Sequence, residues 1–200
     1  MRVNMKKNMF SLPIAALIAM ASSGTAFATN LDVRFTANVR ETTCDMKLVG
    51  GTGSDTSQTL QIGADRGVRI EDFGTSTNRA GNAGARASFQ LKIVECPPSL
   101  QSLKTTISGT PSGYLKDALI NSIKKENGGA DFSAVSIARA SKPDEPFMIN
   151  SDIDSERLVW TQEEIAVGEV PLVAILQATQ DGLVTTGTFE ATATFNFYYE

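Results

Sequence analysis

Apolar residues recur at every second position at both ends of the chain. Over residues 187–200, Phe189, Ala191, Ala193, Phe195, Phe197 and Tyr199 share one face of an extended strand. Over residues 31–39, Leu31, Val33, Phe35, Ala37 and Val39 alternate with Asp32, Arg34, Thr36 and Asn38. An apolar strand with an unpaired edge templates pairing with other extended chain, so a protein that keeps one at its terminus is expected to bind through it. Period-two patterning reports a buried face, not whose core buries it. Two readings therefore stay open. The two segments pair inside one closed domain, or the chain donates one strand and accepts another.

Between these segments, short alternating runs predict strands over residues 44–49, 59–62, 87–96, 103–109, 134–139, 147–149, 158–161 and 170–179. Gly50-Gly51-Thr52-Gly53, the Gly- and Asn-rich stretch 74–84, Pro97-Pro98 and Asp181-Gly182 separate them as turns. The pattern is that of an all-β sandwich. One segment departs from it: in residues 114–127, Leu115, Leu119 and Ile123 recur every four residues and Gly128-Gly129 follows, which predicts a short helix over an inter-strand connection.

The first 28 residues change the picture of where the chain acts. Arg2, Lys6 and Lys7 precede an apolar run from Phe10 to about Ala21, and Ala26-Phe27-Ala28 follows. This is the layout of a secretory signal, with a mature chain from Thr29. A membrane anchor is the rival, but the run is shorter than the roughly 20 residues that cross a bilayer. Cleavage leaves 15 basic against 22 acidic residues, a net charge of −7. Phosphate binding needs clustered Lys and Arg, so nucleic acid is not an expected partner. The remaining 172 residues suit one well-cored domain. Cys44 and Cys96 both survive cleavage, and an even count in an exported protein argues for one disulfide over a two-thiol metal site that has no further ligands.

Candidate chemistry is sparse. The chain has no histidine, which excludes Ser-His and Cys-His nucleophiles and most catalytic zinc sites. Ser122 and Lys125 match Ser-x-x-Lys, but the companion elements of that enzyme class are missing. Asn150, Asp152, Asp154 and Glu156 place oxygens at alternate positions as a calcium loop would, yet the sixth-place Gly is absent and Thr161 stands where the bidentate Glu belongs. A solvated acidic turn is the better reading. Gly50-Gly51-Thr52-Gly53 lacks the Lys-Ser or Lys-Thr of a phosphate loop, and Glu163-Glu164 and Asp144-Glu145 read as surface charge. No catalytic residue, metal or cofactor is expected, and the chain does not read as an enzyme.

From Leu31 to Glu200 the chain resembles a subunit of the type 1 class of bacterial fimbriae, assembled by the chaperone-usher route. Gly187 stands fourteenth from the C-terminus and Tyr199 is penultimate, with alternating apolar residues between them, as in that family's chaperone-recognition strand. Cys44 follows the opening strand and Cys96 ends Phe89-Gln90-Leu91-Lys92-Ile93-Val94-Glu95-Cys96, similar to the family's disulfide frame. Leu60-Gln61-Ile62-Gly63 and Ile107-Ser108-Gly109-Thr110 resemble its strand ends, and Ala37 stands where the family usually has Gly.

The resemblance implies an incomplete immunoglobulin-like sandwich: six strands of its own, an open groove beside the C-terminal strand, and an N-terminal extension that serves as a donor strand. Residues 1–28 would be the signal peptide, 29–41 the extension and 42–200 the domain. Leu31, Val33, Phe35, Ala37 and Val39 map onto the donor strand. Gly187, Phe189, Ala191, Ala193, Phe195, Phe197 and Tyr199 map onto the strand that first a periplasmic chaperone and then a neighbouring subunit would contact. An outer-membrane usher is the third implied partner, a host receptor a possible fourth. The implied role is a structural subunit of a surface fimbrium contributing to adhesion, exported through the periplasm. A minor adaptor or tip-associated subunit with a receptor-binding surface is the alternative.

Overall fold

The structure, a computed structural model, describes residues 43–63 and 67–199. Ten strands form among the described residues: β1 Asp45–Val49, β2 Thr52–Gly53, β3 Gln58–Thr59, β4 Arg86–Glu95, β5 Leu103–Ser108, β6 Ala118–Ile120, β7 Ser133–Arg139, β8 Leu158–Val159, β9 Glu169–Ala178 and β10 Thr194–Tyr199. A five-stranded sheet has the order β1-β4-β9-β7-β6, a three-stranded sheet the order β10-β5-β8, and β2 and β3 form a small hairpin. All ladder pairings are antiparallel.

In chain order, β1, β4, β5, β7, β9 and β10 occupy positions A to F of an immunoglobulin-like sandwich, with A-B-E-D in one sheet and C-F in the other. Position G, beside β10 on the side away from β5, holds no strand among the described residues. The two inner faces meet in one core. Phe89 and Leu91 of β4, Leu103 and Ile107 of β5, Val135 and Ile137 of β7, and Val170, Leu172, Ala174 and Leu176 of β9 are buried there together. Trp160 is buried beside them, its indole N–H donating to Thr105 Oγ1 (3.0 Å).

β9 is buried on both faces. Val173 and Ile175 are buried with Ala138 in a second cluster, and Gly74 forms a parallel bridge with Gln177 near the end of β9. The Gly74 amide donates to the Leu176 carbonyl (2.8 Å), the Gln177 side-chain amide to the Arg79 carbonyl (2.8 Å), and Arg79 pairs with Asp117. A Cβ on Gly74 would lie 2.7 Å from the Arg79 carbonyl oxygen as well as against the buried Gln177 side chain, so this bridge favours glycine.

The expected strands 44–49, 87–96, 103–109, 134–139 and 170–179 appear with ends within a residue or so of the forecast. The helix over residues 114–127 does not form. β6 pairs with β7 there, and a 3₁₀ turn at Lys125–Asn127 follows. Ala118 and Leu119 lie on opposite faces and both are buried, which a strand permits and a one-sided helix does not. Leu115 and Ile123 are only half-buried, so the four-residue spacing was coincidental. Residues 147–149 are loop, held by the Phe147 amide on the Ile137 carbonyl (2.9 Å) and the Met148 amide on the Glu156 carbonyl (2.8 Å).

The one α-helix among the described residues is α1, Gln162–Val167. Its signal is Thr161-x-x-Glu164 followed by Gly168. The Thr161 hydroxyl accepts from the Glu164 amide (3.1 Å), the Glu164 carboxylate accepts from the Thr161 amide (2.8 Å), and Gly168 closes the helix at φ 78°. Glu164 also pairs with Arg139, so a residue read as surface charge ties α1 to β7.

Cys44 and Cys96 form the expected disulfide, with Cα atoms 4.3 Å apart across 52 residues of chain. It joins the start of β1 to the end of β4 and leaves neither sulfur for a metal. In the chain-entropy treatment such a loop contributes about 4 kcal/mol. We expect Cys44→Ala/Cys96→Ala to lose up to about that much in urea unfolding, and Thr161→Ala, which removes the cap, to lose about 1 kcal/mol. Unfolding midpoints equal to wild type in either variant would contradict these assignments.

Candidate functional site: the open edge of the small sheet

β10 pairs with β5 in the register Phe195↔Ile107, Phe197↔Thr105 and Tyr199↔Leu103, so its apolar side chains face the core with those of β5. The outcome differs between the two strands. Leu103, Thr105 and Ile107 are completely covered, whereas Phe195, Phe197 and Tyr199 are only half-buried. β5 has a strand on each side; β10 has none beyond β5 among the described residues. Phe195 is held by Phe89, ring centroids 5.8 Å apart and tilted, and its outer flank stays uncovered.

β1 repeats the situation in the other sheet. It pairs with β4 alone, and its inward Met46 and Leu48 are half-buried although Leu91, opposite Leu48, is 1% exposed. The two edges lie on the same side of the sandwich. The Tyr199 hydroxyl donates to the Cys44 carbonyl (3.2 Å), joining the end of β10 to the start of β1. Burial raises the Tyr199 pKa above the usual phenol value, so the group stays protonated and able to donate at neutral pH. Ile93, opposite Met46, is half-buried on the same face. Among the described residues, half-buried apolar side chains from both sheets thus line the gap between β10 and β1.

The first half of the C-terminal segment is extended without a regular ladder. Phe189, Ala191 and Ala193 pack half-buried against the core, in phase with Phe195 and Phe197. Asn121 takes the place of a partner strand: its side-chain amide donates to the carbonyls of Ala130 (3.0 Å) and Thr188 (2.8 Å), and its oxygen accepts from the Glu190 amide (3.0 Å). The Ser122 amide (2.7 Å) and hydroxyl (3.0 Å) both donate to the Glu190 carbonyl. Gly187 lies against Gly128 to Ala130, where a Cβ would come within 2.4 Å of the Ala130 nitrogen. Glycine at this position is a packing requirement.

The sequence-derived residues thus distribute unevenly. Gly187, Phe189, Ala191, Ala193, Phe195, Phe197 and Tyr199 come together along one edge, with the Cys44–Cys96 disulfide at its end. Leu31, Val33, Phe35, Ala37 and Val39 lie outside the described residues. Ser122 and Lys125 are engaged separately, Lys125 with Asp131 (3.2 Å). In the acidic turn, Asn150 binds both the amide (3.1 Å) and carbonyl (2.9 Å) of Gly109, and Glu156 accepts from the Ser151 hydroxyl (2.6 Å). Arg157 and Lys104 hold the Asp154 carboxyl below its usual pKa. Met46, Leu48 and Asn121 were not anticipated: β1 offers only two apolar inward residues, and Asn121 acts through partners up to 69 positions away.

Comparison with known proteins follows the same lines. The family model described as "Fimbrial protein" matches residues 33–200. The chain is 24% identical to the uncharacterized fimbrial-like protein YadM of Escherichia coli strain K12, over 94% of this chain and 96% of that protein. It is 27% identical to a type-1 fimbrial protein subunit of Serratia marcescens, over 94% and 97%. Among solved structures, the P pilus rod subunit PapA is similar at 20% identity with a TM-score of 0.45, covering 84% of this chain and 100% of that one. With a match running from the first alternating segment through β10, this chain belongs to the fimbrial protein family.

Proposed function

We propose that the chain is a structural subunit of a chaperone-usher fimbria, polymerised by donor-strand exchange and contributing to adhesion at the cell surface. The observation that carries the reading is the half-buried apolar face of β10 next to a seventh-strand position that holds no strand among the described residues. In a completed sandwich that strand runs antiparallel to β10. Residues 31–39 of a neighbouring subunit match its demands: five apolar side chains at period two, opposing the five from Phe189 to Phe197. Before assembly, a strand from a periplasmic chaperone would hold the same position, and an outer-membrane usher would oversee the replacement.

The energetics suit an exchange that needs no nucleotide. Burying Leu31, Val33, Phe35 and Val39 at roughly 1.5 to 3 kcal/mol each gives on the order of 10 kcal/mol, before the entropy of ordering the segment is subtracted. Each ladder hydrogen bond adds about 0.5 to 1.5 kcal/mol. The contact joins different surfaces of the two partners, so it propagates as a filament and does not close.

Thermal unfolding tests this directly. The purified mature chain without a chaperone is expected to be unstable or self-associated, and a synthetic peptide of residues 30–40 to raise its Tm. The same peptide with Val33→Ala and Phe35→Ala is expected to lose most of that effect, because two large side chains no longer fill the edge. A stable monomer indifferent to the peptide would point to the closed-domain reading instead.

A further inference from the structure

Among the described residues, the two most exposed large aliphatic side chains sit side by side. Val167, the last residue of α1, is 66% exposed, and Val94, near the end of β4, is 64% exposed. The β4–β9 register ends at Lys92↔Glu169, and the Ile93 amide then donates to the Gly168 carbonyl (2.8 Å), so Val94 and Val167 are the next pair along. They crown the end of the domain where the disulfide ties Cys96 to Cys44. Isolated exposed aliphatics are ordinary, but a pair at a junction through which the chain must pass to its neighbour has a defined environment.

The length of chain outside the structure defines it. Only three residues separate Val39, the last apolar residue of the donor segment, from Thr43, so the end of the occupied edge on the next subunit lies within about 14 Å of Thr43, four Cα steps away. Val94 is two residues from Cys96, within about 7 Å of it. A domain of this size has a radius of gyration of about 15 Å, so the tether is too short to keep the two bodies apart. An antiparallel donor that opposes Phe189 with Val39 leaves the edge beside residues 183–187. Leu183 there is 49% exposed, next to half-buried Val184.

We propose that Val94 and Val167 dock against the Leu183 segment of the next copy of this chain, forming a second head-to-tail contact that braces the strand exchange. The inference rests on the strand-exchange reading. The partner is a second copy because both halves of the contact, each with exposed aliphatic side chains, lie on this chain at the places the tether brings together. The salt-bridged Lys92–Glu169 pair (2.8 Å) forms a polar rim beside it.

The test uses the mature chain with two readouts: affinity for the 30–40 peptide, and the rate of filament formation by light scattering. Val94→Glu/Val167→Glu and, separately, Leu183→Lys are expected to bind the peptide within twofold of wild type and to assemble at least tenfold more slowly. The triple variant, which places opposite charges across the contact, is expected to recover to within threefold of wild type. Tyr114→Glu, an exposed residue on the β5–β6 loop, is the control and is expected to assemble normally. Assembly at the wild-type rate by Val94→Glu/Val167→Glu, an equal defect in Tyr114→Glu, or no recovery in the triple variant would overturn the docking contact alone. Wild type that fails to bind the peptide would overturn the strand-exchange reading, and this contact with it.

Discussion

The proposed assembly depends on a strand that, among the described residues, is paired on one side only. β10 brings Phe195, Phe197 and Tyr199 to the core in register with β5, and β5 hides its own inward residues completely. The difference between the two strands is one neighbour. A backbone edge and an apolar face left uncovered at the same place are costly separately, and the proposed donor strand would cover both at once. Among the described residues the unfilled place is the G position of an immunoglobulin-like order whose other six positions hold strands.

The rest of the sandwich keeps that gap in shape. The disulfide fixes β1 to β4, and the Tyr199 hydroxyl reaches the Cys44 carbonyl, so the two flanking edges share an anchor at one end. At the other end, Asn121 and Ser122 hold Thr188 and Glu190 in an extended path without a ladder, and Gly187 permits the close approach to residues 128–130. Rigid flanks favour a strand that arrives already extended, because less order remains to be imposed when it binds. Asn121 has a role here that its surroundings in the sequence do not suggest.

Much of this was legible beforehand, for reasons that differ by element. Long strands with one buried face, such as β4 and β10, carry period two in their residues, and the Cys pair needed only an oxidising compartment to be read as a bond. β6 was misread because three residues long is too short to show alternation, while Leu115, Leu119 and Ile123 imitate a helix; pairing with β7 overrode local spacing. α1 was missed although Thr161-x-x-Glu164 marks its start, because six residues hold too little apolar pattern to register. The edge itself was visible as alternation. That its side chains are half-buried, with the equally half-buried inner face of β1 across the gap, depends on which strands lack neighbours, and no run of residues encodes that locally.

The most direct measurement is amide hydrogen exchange along β10, compared between the free mature subunit and its filaments. Amides of residues 194–199 alternate between β5 and the open side. Strand exchange predicts that those facing β5 are protected in both states, while those facing the gap exchange rapidly in the free subunit and become slow in the filament. Protection of every β10 amide in a free, monomeric subunit would show that the gap is already filled from within, and the account would fail.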